Sequence, residues 1–173
     1  MSENNKDKKK ARRHFIHQAS GAMGIIAVGT AAWPLVDQMN PSKDVEALAK
    51  IEIDLSSLME GQSKTVLWRG KPLFIKHRSE KEIKEAQEVS IEKLPDPQTD
   101  EDRTQNPKFL VLVGVCTHLG CVPAADKGDF KGWFCPCHGS HYDTSGRIRK
   151  GPAPTNLAIP PYKFLNEKTI LVG

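Results

Sequence analysis

All four cysteines of the chain lie within 22 consecutive positions. Together with neighbouring histidines they form two boxes, Cys116-Thr-His118-Leu-Gly-Cys121 and Cys135-Pro-Cys137-His138-Gly-Ser-His141-Tyr142. This close spacing indicates a single site rather than a scattered disulfide framework. Two thiolates and two imidazoles suit either a tetrahedral zinc ion or a two-iron cluster. The ligand types alone leave both open, although a structural zinc would have no use for Cys121 and Cys137.

The amino-terminal segment joins a basic cluster to a long uncharged stretch. Residues 1–13 contain six Lys or Arg and two acidic residues, and no charged residue follows until Asp37. The apolar centre, Ala19–Val36, has 18 residues. As a helix it would be about 27 Å long, which can just cross a hydrocarbon core of about 30 Å. We therefore predict a single membrane anchor over residues 14–36, with residues 1–13 in the cytoplasm and the body of the chain on the other side.

Two alternatives for this segment stay open, a buried core helix and a cleavable signal cut after Gly29-Thr30-Ala31. Pro34 marks a position where a helix could end. The run Arg12-Arg13-His14-Phe15-Ile16 resembles a twin-arginine export signal, which a receptor reads as an address. Such a route suits a protein that is exported already folded around a cofactor.

The charge distribution argues against nucleic acid as a partner. The net charge of the chain is +4, and residues 1–13 carry all of it. The remaining 160 residues hold 19 basic and 19 acidic side chains. A neutral body with a basic tip has no face that could follow a phosphate backbone.

Beyond the anchor, the sequence predicts a flexible tether over residues 37–50 and a mainly β head over residues 51–173. Strands are predicted at Ile51–Leu55, Thr65–Trp68, Pro72–Ile75, Phe109–Val115, Tyr162–Leu165 and Thr169–Val172. Ser79 and Glu82 form a capping box that predicts a helix through Glu88. Residues 94–107, rich in Pro, Asp, Gln and Thr, are predicted to form a loop.

Both boxes resemble, letter for letter, those of the Rieske iron–sulfur subunits of cytochrome bc1 complexes. The likeness extends to the twin-arginine anchor, the tether, the segment Trp68-Arg-Gly-Lys-Pro-Leu-Phe and the loop Gly151-Pro-Ala-Pro154. It implies an antiparallel β-sandwich head with a small cluster-binding subdomain at about residues 115–155, preceded by one transmembrane helix. It also implies one [2Fe-2S] cluster per subunit and a disulfide between Cys121 and Cys137.

The resemblance implies a role for each residue of the site. Cys116 and Cys135 would bind the buried iron, and His118 and His138 the outer iron, where they would face quinol. Replacing two thiolates by neutral imidazoles makes the cluster easier to reduce. Hydrogen bonds from the hydroxyls of Ser140 and Tyr142 would tune the cluster, and Leu119 would shield it or pack against a docking partner. His141 has no place in the ligand set.

The function implied is that of a membrane-anchored electron carrier within a dimeric complex. It would take one electron from ubiquinol, with proton release, and pass it to a c-type cytochrome. Cytochrome b, cytochrome c1 and the lipid bilayer would be its partners, with the head in the periplasm and the anchor in the cell inner membrane. Three alternatives stay open: a b6f-like quinol-oxidising complex, the Rieske domain of an oxygenase or soluble ferredoxin, and a structural zinc module.

Overall fold

The computed structural model describes residues 3–40 and 49–173, with the backbone alone for residues 3–8. It divides into two compact units, Met1–Glu46 and Ala47–Gly173. The predicted tether, residues 37–50, lies mostly outside the described residues, so its flexibility stays a prediction.

The amino-terminal unit contains one long helix, α1, at Glu3–Asp37. Its described side chains are exposed along almost the whole length, which excludes a buried core helix, and Lys9–Asp37 is long and apolar enough to cross a membrane. The helix does not end at Pro34, where the sequence would have allowed it to end. Proline lacks only its own N–H, and the carbonyl of Pro34 still accepts a bond from Gln38 N–H at 3.0 Å, so the last turn continues to Asp37.

The head is built mainly from ten short β-strands in the part of the chain that the structure describes. They are β1 (Ile51–Asp54), β2 (Ser63–Trp68), β3 (Lys71–His77), β4 (Phe109–Val113), β5 (Ala124–Ala125), β6 (Trp133–Cys135), β7 (Ser140–Tyr142), β8 (Ile148–Lys150), β9 (Tyr162–Asn166) and β10 (Thr169–Val172). They form three antiparallel sheets, with strand orders β1-β10-β9, β2-β3-β4 and β5-β6-β7-β8. The prediction of a mainly β head is confirmed.

The sheet β2-β3-β4 is the middle layer, which explains the long apolar run before the first box. Successive side chains of a strand point to opposite faces. Val111 therefore packs into one core, with Leu73 and Ile75, whereas Leu110 and Leu112 pack into a second core around the cysteine boxes. All three β4 side chains are fully buried, and each contributes about 1.5–3 kcal/mol of hydrophobic stabilisation. The predicted buried strand is confirmed over Phe109–Leu112, but it ends at Val113 and not at Val115, and Val113 is only partly buried.

The predicted capped helix is also confirmed, as α2 at Glu80–Gln87. The Ser79 side chain accepts from the Glu82 N–H, and the Glu82 carboxylate accepts from the Ser79 N–H at 2.9 Å. The Glu82 carboxylate also pairs at 2.7 Å with Lys76, a β3 side chain that is almost fully buried and makes a second ion pair with Asp126. Lys76 therefore joins the middle sheet, α2 and the segment after β5.

Residues 94–107 form the predicted loop, apart from one short 3-10 turn at Glu101–Arg103, but the loop is not merely a surface connection. The buried Arg103 guanidinium donates to the carbonyl oxygens of Ser145 at 2.7 Å and Leu157 at 2.6 Å. Burial lowers the pKa of Arg103 to about 10. Asp100 pairs with Arg78 at 2.6 Å and accepts from the Ser145 hydroxyl. The loop thereby supports the β7–β8 turn and the segment that follows β8.

Candidate metal centre

The two boxes fold into loops with the same local geometry. In the first, Gly120 N–H donates to the Cys116 carbonyl at 2.9 Å, and in the second, Gly139 N–H donates to the Cys135 carbonyl at 3.0 Å. Both glycines have positive φ, +81° and +74°, a conformation that side chains rarely adopt. The spacing Cys-x-x-x-Gly therefore closes a turn that carries the histidine of each box.

The four predicted ligands lie on the two box loops, residues 116–121 and 135–142, which we call the tip of the head. Cys116 and Cys135 are free thiols, each only 2% exposed, in the core beside the boxes. His118 is half-buried and His138 is exposed, and their ring centroids lie 4.7 Å apart at an interplanar angle of 89°. Two thiols thus lie on the inner side of the site and two imidazoles toward its surface.

The chemistry of this donor set fits a [2Fe-2S] cluster. His118 Nδ1 is buried and has no hydrogen-bond partner among the described residues, a costly state unless another group occupies that position. Burial raises the pKa of the Cys116 thiol, but hydrogen bonds from Tyr142, the His118 backbone N–H, Cys135 and Ser140 together outweigh it, so the pKa lies below its usual value. Burial raises the pKa of Cys135. Residues of the boxes thus already stabilise one thiolate at this position.

Cys121 and Cys137 form a disulfide that joins the two loops. This is the pair that the resemblance implies. The sulfur of Cys135 lies within 4.8 Å of both disulfide sulfurs, a grouping whose size would suit a metal ion. However, the bonded sulfurs are not thiolates, and the thiolate is the form that binds metal. This three-sulfur group is therefore not a zinc site while the disulfide is intact.

Hydroxyl groups surround the inner thiols. Tyr142 is fully buried, and its Oη lies 3.3 Å from Cys116 Sγ. Burial, followed by the neighbouring Cys116, raises the pKa of Tyr142 to about 12, so its hydroxyl keeps its proton and can donate it. Ser140 Oγ accepts from Ala153 N–H at 3.2 Å, which leaves the hydroxyl proton free to point elsewhere.

Two contributions to the site were missed by sequence reasoning. Thr117 donates its hydroxyl to the Thr155 carbonyl at 2.7 Å, and its N–H lies 3.4 Å from Tyr142 Oη. Its place between Cys116 and His118 was the available signal. The second is the Ala153 N–H, a backbone donor that residue type does not reveal.

The outer surface of the tip is apolar. Leu119 is 69% exposed and Val122 is 55% exposed, so Leu119 is not an ordinary buried leucine. His141 is half-buried, packs edge-on against Phe134 and accepts from Asp129 N–H at 3.0 Å through Nδ1. It therefore contacts the neighbouring strand and loop and is not grouped with the other two histidines.

Two family models match the chain. The model described as "Rieske [2Fe-2S] domain" matches residues 51–162. The model described as "Ubiquitinol-cytochrome C reductase Fe-S subunit TAT signal" matches residues 1–42.

Full-length relatives carry consistent names. The chain is 55% identical over 168 residues to the ubiquinol-cytochrome c reductase iron-sulfur subunit of Rhodospirillum rubrum, covering 94% of this chain and 92% of the relative. It is 50% identical to the subunit of the same name from Rhodobacter capsulatus, covering 96% and 97%. A solved chain from a hyperthermophilic respiratory Complex III is 32% identical, with a TM-score of 0.53, covering 90% of this chain and 98% of that one.

Proposed function

Because the chain belongs to the family of Rieske iron–sulfur subunits of ubiquinol–cytochrome c reductase, we propose that it is the [2Fe-2S] electron carrier of a cytochrome bc1 complex. Its reaction is then the transfer of one electron from ubiquinol to a c-type cytochrome, coupled to proton release. The observation that carries the proposal is the presence of two buried free thiols and two adjacent imidazoles on loops joined by a disulfide.

Four side chains would hold the cluster. The thiolates of Cys116 and Cys135 would bind the inner iron, and the imidazoles of His118 and His138 the outer iron. When bound, the cluster supplies a one-electron couple whose potential is raised because two ligands are neutral. The unpartnered Nδ1 of His118 supports its assignment as a ligand atom.

The chain's other residues would orient and shield this centre. Tyr142 would donate to the Cys116 sulfur, a bond that strengthens as the sulfur becomes more negative. Ser140 Oγ accepts a hydrogen bond from Ala153 N–H. The hydroxyl hydrogen of Ser140 would then be directed toward the sulfur atoms. Buried apolar side chains beneath the loops keep water from the inner thiols.

The surface of the tip suits docking. His138, Leu119 and Val122 are all exposed. The ring nitrogen of His138 that does not bind iron would, when deprotonated, accept a hydrogen bond from a quinol hydroxyl, while the leucine and valine would pack against a partner. Cytochrome b and cytochrome c1 are the partners that membership of this complex implies, within a dimeric assembly.

We propose the following topology. The apolar helix α1 and the family together indicate membrane anchoring. The basic residues 1–13 would remain in the cytoplasm, the anchor would span the inner membrane, and the head would lie in the periplasm, where an oxidising environment permits the disulfide.

Three alternatives are not favoured. A b6f-like or oxygenase function does not fit the names of the full-length relatives. A structural zinc module does not fit the Rieske [2Fe-2S] family match.

Metal analysis of the purified complex tests the proposal. We expect two non-haem irons and two acid-labile sulfides per chain in the wild type, and the loss of both in the variants His118→Ala and His138→Ala. One zinc and no labile sulfide per chain would refute it.

A further inference from the structure

The point at which the head begins is held by a tryptophan side chain. Trp68 is the last residue of β2, and its indole Nε1–H donates to the carbonyl oxygen of Ala49 at 2.7 Å. Ala49 lies two residues before β1, in which sheet pairing starts with Ile51 opposite Val172. The Trp68 side chain, which belongs to the sheet β2-β3-β4, therefore holds the backbone at Ala49, two residues before the pairing of β1 begins.

The Ala49 carbonyl lies in a closely fitted position. A Cβ on Gly173 would overlap this oxygen and would lie 3.0 Å from Lys50 Cα. The Gly173 backbone is itself fixed, because its N–H donates to the Pro161 carbonyl at 2.9 Å. The carbonyl is thus confined between the indole N–H and the backbone of Gly173.

The indole of Trp68 is also fixed in place, by its packing. Trp68 is 8% exposed within the core shared by β1, β3 and β10, and the Arg69 guanidinium lies over its ring at 4.7 Å. A phenylalanine would keep an aromatic ring in this core but would have no N–H to donate. The donated hydrogen bond to Ala49 is the feature that only tryptophan supplies here.

We propose that Trp68 is a positioning residue that fixes the start of the head at Ala49 and thereby sets the length of the tether. This inference rests on the proposed function, in which the head is carried on the tether between two partners. Ala49 and Lys50 belong to the predicted tether, and this bond holds them on the head. Without the bond, the first fixed residue is Ile51, so both of these tether residues become free. At about 3.3–3.6 Å per extended residue, they would add about 7 Å to its reach.

The test uses limited trypsin digestion of the full chain in its complex. Lys50 directly follows Ala49, and cleavage there requires the surrounding backbone to leave the head. Lys43, within the same predicted tether, serves as the internal reference. In Trp68→Phe we expect the Lys50-to-Lys43 cleavage ratio to rise about fivefold, the change that corresponds to about 1 kcal/mol for one net hydrogen bond.

Trp133→Phe is the matched control. Trp133 is also buried, but its Nε1 has no hydrogen-bond partner among the described residues, so the substitution removes an indole N–H without removing a bond to Ala49. We expect its cleavage ratio to equal that of the wild type. An unchanged ratio in Trp68→Phe, or the same rise in Trp133→Phe, would overturn the inference.

A second readout separates this inference from the proposed function. Trp68 lies in the core that does not contain the cysteine boxes, so Trp68→Phe should keep the wild-type midpoint potential and paramagnetic signal of the reduced cluster. If neither the wild type nor Trp68→Phe binds a cluster but the cleavage ratio still rises in Trp68→Phe, the positioning role of Trp68 is supported and the proposed function is refuted. A shifted potential in Trp68→Phe would instead refute a purely positional role.

Discussion

Tyr142 offers a direct way to test whether the chain tunes the potential of its cluster. The substitution Tyr142→Phe keeps the buried ring and removes only the hydroxyl, whose oxygen lies 3.3 Å from Cys116 Sγ. Reduction makes this sulfur more negative, so the lost bond is worth more in the reduced state than in the oxidised state. The midpoint potential should therefore fall.

The size of the fall follows from the energy of such a bond. Hydrogen bonds to charged groups contribute about 1.5–3 kcal/mol net. If about 1.4 kcal/mol of this differs between the two redox states, the potential of a one-electron couple falls by about 59 mV. Redox titration of the loaded protein, followed by the paramagnetic signal of the reduced cluster, measures the shift.

Tyr162 provides the control, since it is the second of the chain's two tyrosines. It is also buried, and its Oη accepts from Gln105 N–H at 3.1 Å, but it packs in the core away from the boxes. Tyr162→Phe should leave the potential unchanged. An unchanged potential in Tyr142→Phe with an intact cluster, or an equal fall in both variants, would refute the tuning role.

Three further predictions follow from the site and its supports. His118→Ala or His138→Ala should abolish the reduced-cluster signal in membranes, whereas His141→Ala should keep it; a normal signal without either ligand would contradict the assignment. Replacing Cys121 and Cys137 together by Ser should lower the free energy of unfolding by about 3 kcal/mol, since their loop is close to 15 residues, and an unchanged denaturant midpoint would count against this. Lys76→Met should cost about 1–3 kcal/mol by leaving the Glu82 carboxylate without its cation. Burial raises the pKa of Glu82, but the hydrogen bonds from Lys76 and Ser79 and the charge of Lys76 together outweigh it, so the pKa lies below its usual 4.5. The stability that Glu82 contributes is present above that value and is lost as pH falls through the folded pKa. Urea unfolding below pH 4.5 should therefore show a shallower loss in Lys76→Met than in the wild type, and parallel profiles would contradict the reasoning.

The regular elements of the head could be predicted where local signals were strong. The run before the first box reads as a buried strand because β4 is covered on both faces. The capping box around Ser79 and Glu82 marks the start of α2 because two backbone groups need those side chains. In both cases the determinant lies within a few residues of the sequence.

The cluster-side sheet could not be predicted in this way. Strands β5 to β8 have only two or three residues each, too few for an alternating pattern to be recognised. Their pairing depends on close backbone contacts, such as that of Gly132, where any Cβ would overlap the Asp143 carbonyl. The short elements are therefore set by tertiary contacts.

The candidate ligands could be predicted because thiols and imidazoles are identified by residue type. Their supports could not, because many are backbone groups. The Arg103 guanidinium binds carbonyl oxygens 42 and 54 residues away along the chain, and Ser140 is oriented by the Ala153 N–H. These three partners act through backbone groups, so the sequence pattern alone gave no reason to place them at the site.

Paramagnetic resonance of native membranes reduced by ubiquinol tests the central claim most directly. The account predicts a signal from one unpaired electron per chain, which appears on addition of ubiquinol and disappears on addition of an oxidised c-type cytochrome. The signal should be absent when His138 is replaced by alanine. Membranes that contain the wild-type chain but show no ubiquinol-dependent signal would contradict the account.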